Sequence, residues 1–355
     1  EAADNEPSGA VFHGAPIELN AQYVAEEARQ FALEKFGEEA YTAGLRVYTT
    51  VNSKDQIAAQ YAVFKGLSDY DQRHGYRKAL INVRNIEDFE ITEDNLKKLL
   101  AQNDVYNYIH PGIVTKIDDK NQNVQIMRKN GFAETIPWEG MKWARPFIND
   151  RRQGNAPRKP SDFLSAGDLI YTYVTDDGKL RLSQVPEAEA ALIALRPGDG
   201  AIAAMVGGYD FNKSKLNRVI QSSRQTGSNF KPFIYSAAVG KGIAVNSTLV
   251  DEPLRMWETG SRTWWEPKNT PNRYDGVMTL REGLARSKNI ISIKLINKVG
   301  IDAAVEHVKK FGIEVPKSQQ VTSMALGVVE VSPLQLVSAY SVFANGGYKI
   351  TPYLV

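Results

Sequence analysis

Arg224-Gln225-Thr226-Gly227-Ser228-Asn229-Phe230-Lys231-Pro232-Phe233 holds the one Ser-x-x-Lys in this 355-residue chain. A serine hydroxyl is a poor nucleophile near neutral pH and needs an adjacent base. An amine three residues on, one helical turn along the same face, can take its proton. Gly227 suits a tight turn ahead of a helix, and Pro232 is tolerated only near a helix start. With Ser228 as the N-cap, Pro232 forfeits only the first intrahelical bond. The serine's own N–H then stays free at the positive end of the helix. Acyl transfer needs a donor placed in that way for its oxyanion.

A lone Ser-x-x-Lys is a weak signal, because a surface helix start with a solvated lysine produces it as readily. The flanks argue against that. Phe230, Phe233, Ile234, Tyr235, Ala237, Ala238 and Ala244 predict a buried helix. A lysine held there is desolvated, which lowers its pKa and makes it a usable base. Downstream stands Ser287-Lys288-Asn289, the one Ser-x-Asn in the chain. It separates two helical patterns. Thr279-Leu280-Arg281-Glu282 reads as a capping box that opens the first. The second carries Ile290, Ile291, Ile293, Leu295 and Ile296 and stops at Gly300.

In this order the two motifs resemble the Ser-x-x-Lys and Ser-x-Asn of penicillin-binding proteins and class A β-lactamases, whose third member is Lys-Thr-Gly. Further runs extend the likeness over almost the whole chain: Gly200 to Gly208, Asn217-Arg218, Trp265-Glu266-Pro267-Lys268-Asn269, Met324-Ala325-Leu326-Gly327, and Ala339-Tyr340 with Ala344 to Gly347. Together with Gly44 to Thr50 and Tyr70 to Arg77, these are similar to class A penicillin-binding proteins, most of all the 1a type of Gram-negative bacteria. Thr226 stands where that family usually has proline, and no Lys-Thr-Gly or Lys-Ser-Gly occurs in the chain. The resemblance implies that this third motif lies on a strand further on. It also implies a glycosyltransferase domain and a membrane anchor outside the chain, so that the chain is an internal piece of a larger protein, periplasmic and anchored to the inner membrane.

Composition agrees without deciding. The length fits two or three domains, and 43% apolar residues can bury a sizeable core. With 43 basic and 41 acidic residues there is no general attraction to nucleic acid. The absence of cysteine excludes disulfides and thiolate metal sites. His13, His74, His110 and His307 are scattered without ligand spacing, so no metal is expected. The longest apolar stretches, such as Ala188–Leu195 with its glutamate, are far too short to span a bilayer.

Along the chain, Glu1–Asn20 reads as a linker and Tyr23–Phe36 as a helix closed by Gly37. Leu45–Val51 alternates like a strand, and Ser53 caps a helix to about Phe64. After a short helix at Thr92–Leu100 come the alternating runs Gly112–Asp118, Asn123–Arg128, Asp168–Thr175 and Lys179–Gln184, which predict a small antiparallel barrel. The resemblance implies an inserted OB-like domain at that place. Between its strands lies a basic, aromatic loop with Lys142, Trp143, Arg145, Phe147, Arg151, Arg152, Arg158 and Lys159. It reads either as a dock for an acidic partner or glycan strands, or as a solvated loop with Trp143 and Phe147 tucked into the barrel. From Ala190 the strands Ala190–Leu195 and Ala201–Val206 form a hairpin. Helices follow at the serine, at Thr279–Arg286, Ile290–Val299 and Asp302–Lys310, and from Pro333 with Ser332 as N-cap to a stop at Gly346.

The expected fold class is therefore α+β: a serine transpeptidase/β-lactamase-like domain, with an antiparallel sheet and helices, plus a small all-β OB-like barrel. The expected division is 1–44 as linker and helix of a preceding region, 45–80 with 184–355 as the transpeptidase domain, and 81–183 as the insertion. The resemblance implies a D,D-transpeptidase that cross-links peptidoglycan stem peptides. Ser228 would attack the penultimate D-Ala carbonyl, Lys231 would act as its base, and Ser287 would relay a proton to the leaving amine. Asn289 would bind the substrate amide and help to hold Lys231. β-Lactams would acylate the same serine, no cofactor is required, and an outer-membrane lipoprotein activator is the partner expected at the inserted domain. Three alternatives stay open. A β-lactamase would need a deacylating glutamate, and Glu306, Glu314 and Glu330 lack the Glu-x-x-x-Asn context. A penicillin sensor would never form cross-linked product. A partner-binding module with a degenerate site would take no penicillin label.

Overall fold

A computed structural model describes residues 17–258 and 262–355; most of the predicted linker, and His13 with it, lies outside them. The first helix, α1 (Gln22–Phe36), ends as expected where Gly37 turns the chain at φ 61°. The second, α2, spans Ser53–His74. Its cap is Asn52 and not Ser53: the Asn52 side chain accepts from the N–H groups of Lys54 and Asp55. It also runs past Phe64, because Val63, Phe64, Leu67, Ser68 and Asp71 keep one face buried until Gly75. The strand expected at Leu45–Val51 does not form. Residues 45–48 are exposed, and the segment makes isolated bonds in place of a ladder: Thr50 N–H to Leu354 O and Thr50 Oγ1 to Ile202 O, both at 2.8 Å, followed just beyond it by Asn52 N–H to Ala203 O at 3.0 Å.

The next part is built on β1 (Ile81–Asn82), helix α3 (Glu93–Gln102, capped by Thr92), β2 (His110–Asp118), β3 (Asn123–Met127) and β4 (Ala133–Pro137). A short hairpin of β5 (Phe147–Asn149) and β6 (Arg152–Gln153) precedes β7 (Asp168–Val174) and β8 (Leu180–Ser183). One antiparallel sheet runs β1-β7-β2-β3-β4, with β8 also on β7. Its faces alternate: Val114, Ile126, Ile136, Ile170 and Leu182 fill one core, whereas Ile113, Met127 and Leu169 pack on Leu96 and Leu100 of α3. The barrel expected here is not closed, since no ladder joins β4 to β8. After β4 the chain turns at Trp138–Gly140, and Gly140 sits so close that a Cβ would lie 2.7 Å from Leu180 O. Side chains such as Ile136 and Leu182 close the gap instead of hydrogen bonds. In the basic loop, Trp143 packs on this core, edge-on to Tyr76 with ring centroids 5.8 Å apart. Lys142 pairs with Glu139 and Lys159 with Asp119, while Arg151 and Arg152 are exposed.

The remaining part starts with the antiparallel hairpin β9 (Leu192–Leu195) and β10 (Ile202–Val206). Gln56 of α2 clips to it, donating to Met205 O and accepting from Met205 N–H, both at 2.8 Å. Then come β11 (Arg224–Gln225), a 3-10 turn at Gly227–Phe230, α4 (Lys231–Gly240) and β12 (Thr248–Asp251). The chain continues through the hairpin β13 (Met256–Glu258) and β14 (Thr263–Trp265), then β15 (Gly276–Thr279), α5 (Leu280–Ala285), α6 (Asn289–Val299) and α7 (Ile301–Lys309). Last are β16 (Glu330–Val331) and α8 (Pro333–Ala344). Capping boxes open α5 at Thr279 and α8 at Ser332, with Pro333 in the first turn, as their sequences predict. Phe230, Phe233 and Ile234 pack with Ile291, Leu295, Val308, Met324 and Ala339 into one core, which puts the helix after the serine in the centre of this part. Ala244 lies beyond that helix and is exposed.

Candidate active site

Ser228 is not the N-cap; it lies inside the 3-10 turn, whose cap is Thr226. Pro232 explains this. It has no N–H to give to Ser228 O four residues back, so Lys231 N–H takes that oxygen and the turn winds tighter before the α-helix begins. Residues three apart nearly eclipse in such a turn, which sets Ser228 and Lys231 on one side. Ser228 is exposed, whereas Lys231 is 1% exposed. Among the described residues the Ser228 N–H donates to nothing.

Lys231 Nζ reaches Ser287 O at 2.6 Å, Ser287 Oγ at 2.9 Å and Asn289 Oδ1 at 2.8 Å. Ser287 Oγ in turn lies 3.1 Å from Ser228 Oγ. No hydrogen bond joins Lys231 Nζ directly to Ser228 Oγ, so a proton path between the two side chains runs through the Ser287 hydroxyl, which can both donate and accept. Three acceptors would satisfy a charged ammonium, but burial dominates and brings the Lys231 pKa down to about 8. A group with that pKa changes its protonation close to physiological pH.

Ser287 owes its position to the end of α5. Its N–H bonds Leu284 O at 2.9 Å and the Lys288 N–H bonds Gly283 O at 2.8 Å, which is a Schellman motif. The left-handed position of that motif usually belongs to glycine, yet Ser287 holds it at φ 52°. A strained serine beside a buried lysine is a mark of function more than of folding. Asn289 opens α6, and its Nδ2 donates to Lys268 O at 2.8 Å, which leaves Oδ1 facing Lys231. The four predicted site residues, Ser228, Lys231, Ser287 and Asn289, thus stand together.

Sequence reading gave no role to the shelf behind the serine. Gly227 N–H bonds Gly327 O at 2.9 Å, and a Cβ on Gly327 would lie 1.9 Å from Gly227 O. Thr226 N–H and Oγ1 both donate to Val329 O, at 3.1 and 3.2 Å. Beside them β11 pairs with β16. The one available signal was Gly327 in the run Met324-Ala325-Leu326-Gly327. A cavity of about 610 Å³ between α1 and residues 45–51 lies elsewhere and includes none of these residues.

An OB-like sheet joined to a helical core with this Ser-x-x-Lys and Ser-x-Asn cluster defines a penicillin-interacting transpeptidase class. Residues 76–188 match the family model of the penicillin-binding protein OB-like domain, and residues 190–355 match that of the penicillin-binding protein transpeptidase domain. The chain belongs to the penicillin-binding proteins and carries their transpeptidase domain. It is 42% identical over 360 residues to Penicillin-binding protein 1A of Vibrio cholerae, covering 100% of this chain and 43% of that protein. The corresponding protein of Pseudomonas aeruginosa is 42% identical over 355 residues, covering 100% and 42%. The crystal structure of Penicillin-Binding Protein 1A from Haemophilus influenzae superposes with a TM-score of 0.86 at 38% identity, covering 100% of this chain and 50% of that one. The chain spans less than half the length of the curated relatives named here.

Proposed function

We propose that this chain forms an acyl-enzyme on Ser228 and cross-links peptidoglycan stem peptides. The observation that carries the reading is a buried lysine with a depressed pKa, joined to an exposed serine through one hydroxyl. Ser228 Oγ attacks the penultimate D-Ala carbonyl, and its proton passes through Ser287 Oγ to Lys231 Nζ. The peptide C–N bond breaks, and the terminal D-Ala leaves as its amine recovers that proton by way of Ser287. The amine of a second stem peptide then attacks the ester, which forms the cross-link and frees Ser228; water in its place gives the carboxypeptidase outcome. The free Ser228 N–H is one donor for the oxyanion, and the gain is that of covalent catalysis in two steps. Asn289, while holding Lys231, hydrogen-bonds the substrate amide. A β-lactam acylates the same oxygen.

The reading carries with it the division of the chain into 45–80 with 184–355 as the catalytic part and 81–183 as the insertion. It also carries a periplasmic location, an anchor and glycosyltransferase domain in the whole protein, and a lipoprotein activator at the insertion. A β-lactamase is disfavoured by the surroundings of the serine: Glu306, Glu314 and Glu330 are exposed, and none bonds Ser228. Incubation with a fluorescent penicillin is expected to leave a label that survives denaturing electrophoresis and is lost in Ser228→Ala. A label that persists in Ser228→Ala, or rapid turnover of the penicillin, would overturn the assignment.

A further inference from the structure

Behind the Ser287–Asn289 loop lies a buried polar cluster that the reaction above does not use. Asp251 is 1% exposed, and Lys288, the middle residue of the motif, 8%. The Lys288 ammonium meets three acceptors: Asp275 Oδ2 at 2.6 Å, Asp251 Oδ2 at 2.9 Å and Arg273 O at 3.1 Å. Burial opposes its charge, but the bonds to Asp275 and Asp251 outweigh that and hold its pKa above the ordinary lysine value. The other oxygen of Asp251 accepts from Asn269 Nδ2 at 2.7 Å, and the same amide nitrogen also donates to Arg273 O at 2.9 Å.

With both hydrogens spent there, Asn269 turns its oxygen to α6. Oδ1 accepts from Asn289 N–H at 2.9 Å and from Ile290 N–H at 3.3 Å. These are the first two N–H groups of the helix, which have no partner within it. Lys288 is the N-cap by position and makes no side-chain cap bond, so the helix is capped from another segment. A reversed amide would set its NH2 against two donors and its oxygen against a carboxylate, and Asp251 forbids that.

We propose that Asp251, Asn269 and Lys288 form a positioning network for acyl transfer, one that locks the Ser287–Asn289 loop so that Ser287 Oγ and Asn289 Oδ1 both meet Lys231. It rests on the acyl-enzyme reading of Ser228. Asn269 fixes the backbone of Asn289 on one side of the loop. Lys288 anchors the other side, where Ser287 is held in its left-handed conformation. None of the three bonds Ser228 or Lys231, so their effect passes through the loop.

The test is the rate constant for acylation by fluorescent penicillin in the intact protein that contains this chain, a quantity that does not depend on how much of a sample is folded. Asn269→Ala is expected to lower the rate at saturating penicillin by about tenfold or more, as small misplacements of reacting groups do, and to leave prior binding of penicillin unchanged. Asn269→Asp alone sets two carboxylates face to face and should be slower still. Asp251→Asn combined with Asn269→Asp restores the donor–acceptor pair between the two side chains and keeps the charge of the cluster, though not the bond to Arg273 O, and should recover part of the lost rate. A loss of general stability would give no such rescue. The swapped pair carries the test if Asn269→Ala yields no folded protein. The network is refuted if Asn269→Ala reacts at the parent rate, or if the swapped pair is no faster than Asn269→Asp. When labelling needs Ser228 but ignores Asn269, only this inference falls; when it does not need Ser228, the acyl-enzyme reading falls with it.

Discussion

At the scale of residues, the site depends on side chains placed where folding alone would choose others. Lys231 is charged and buried, and Ser287 sits where glycine is at ease. Ser228, Lys231, Ser287 and Asn289 were legible because their types and spacing carry the chemistry. Asn269 and Gly327 were not, because their roles arise only when distant segments meet. Gly327 shows this best: φ is +80°, and Gly227 fills the space where its side chain would stand. Both neighbours are backbone, so neither can move aside. Gly327→Ala is therefore expected to cost on the order of 3 kcal/mol and to slow acylation, because the displaced Gly227 belongs to the turn that holds Ser228. Thermal unfolding and penicillin labelling of the purified variant check both effects, and an unchanged midpoint with full labelling would show that the shelf is dispensable.

At the scale of elements, the helices were readable from caps and periodicity, as with Thr279, Ser332 and Gly37. Errors came where tertiary contact overrode local pattern. Leu45–Val51 alternates like a strand but pairs in no ladder among the described residues and hydrogen-bonds its neighbours only at its end, at Thr50, and α2 continues past Phe64 because Leu67 and Asp71 are buried. The turn at the serine was misread for a local reason, since Pro232 moves the helix start to Lys231. Thr226 is the instructive departure from the family. Its φ of −71° would accept proline, but its N–H and hydroxyl both serve the buried Val329 O. Thr226→Pro removes both donors. The entropy gained in the unfolded chain is below about 1 kcal/mol, against about 1–3 kcal/mol for an acceptor left unsatisfied. The variant should therefore melt lower than the parent by a few degrees in calorimetry, although proline is usual there in the family; a higher melting temperature would contradict this.

At the scale of the whole molecule, the order of parts was legible and their joints were not. The antiparallel OB-like part was foreseen, but its closure by side chains and not by a ladder depends on how the turn at Gly140 seats on Leu180. The chain enters and leaves it at a clamp that no local pattern announces. The Arg77 guanidinium meets both oxygens of the buried Asp71 at 2.7 and 2.9 Å and Val185 O at 2.7 Å, and Gln184 bonds both Arg77 N–H and Gly75 O. Aromatic contacts among Phe64, Tyr108 and Tyr173 continue that joint into the core. All of this scaffolding supports one chemical condition, an amine beneath the serine whose neutral form is within reach near physiological pH. The most direct measurement is the acylation rate constant of the intact protein with fluorescent penicillin across pH. With the Lys231 pKa near 8, the neutral fraction climbs from roughly a tenth at pH 7 to roughly nine tenths at pH 9. The rate should rise about tenfold over that range and then level off. A rate that stays flat from pH 7 to 9, or one still climbing tenfold per unit beyond pH 9 as an ordinary lysine would require, would contradict the buried amine as the base.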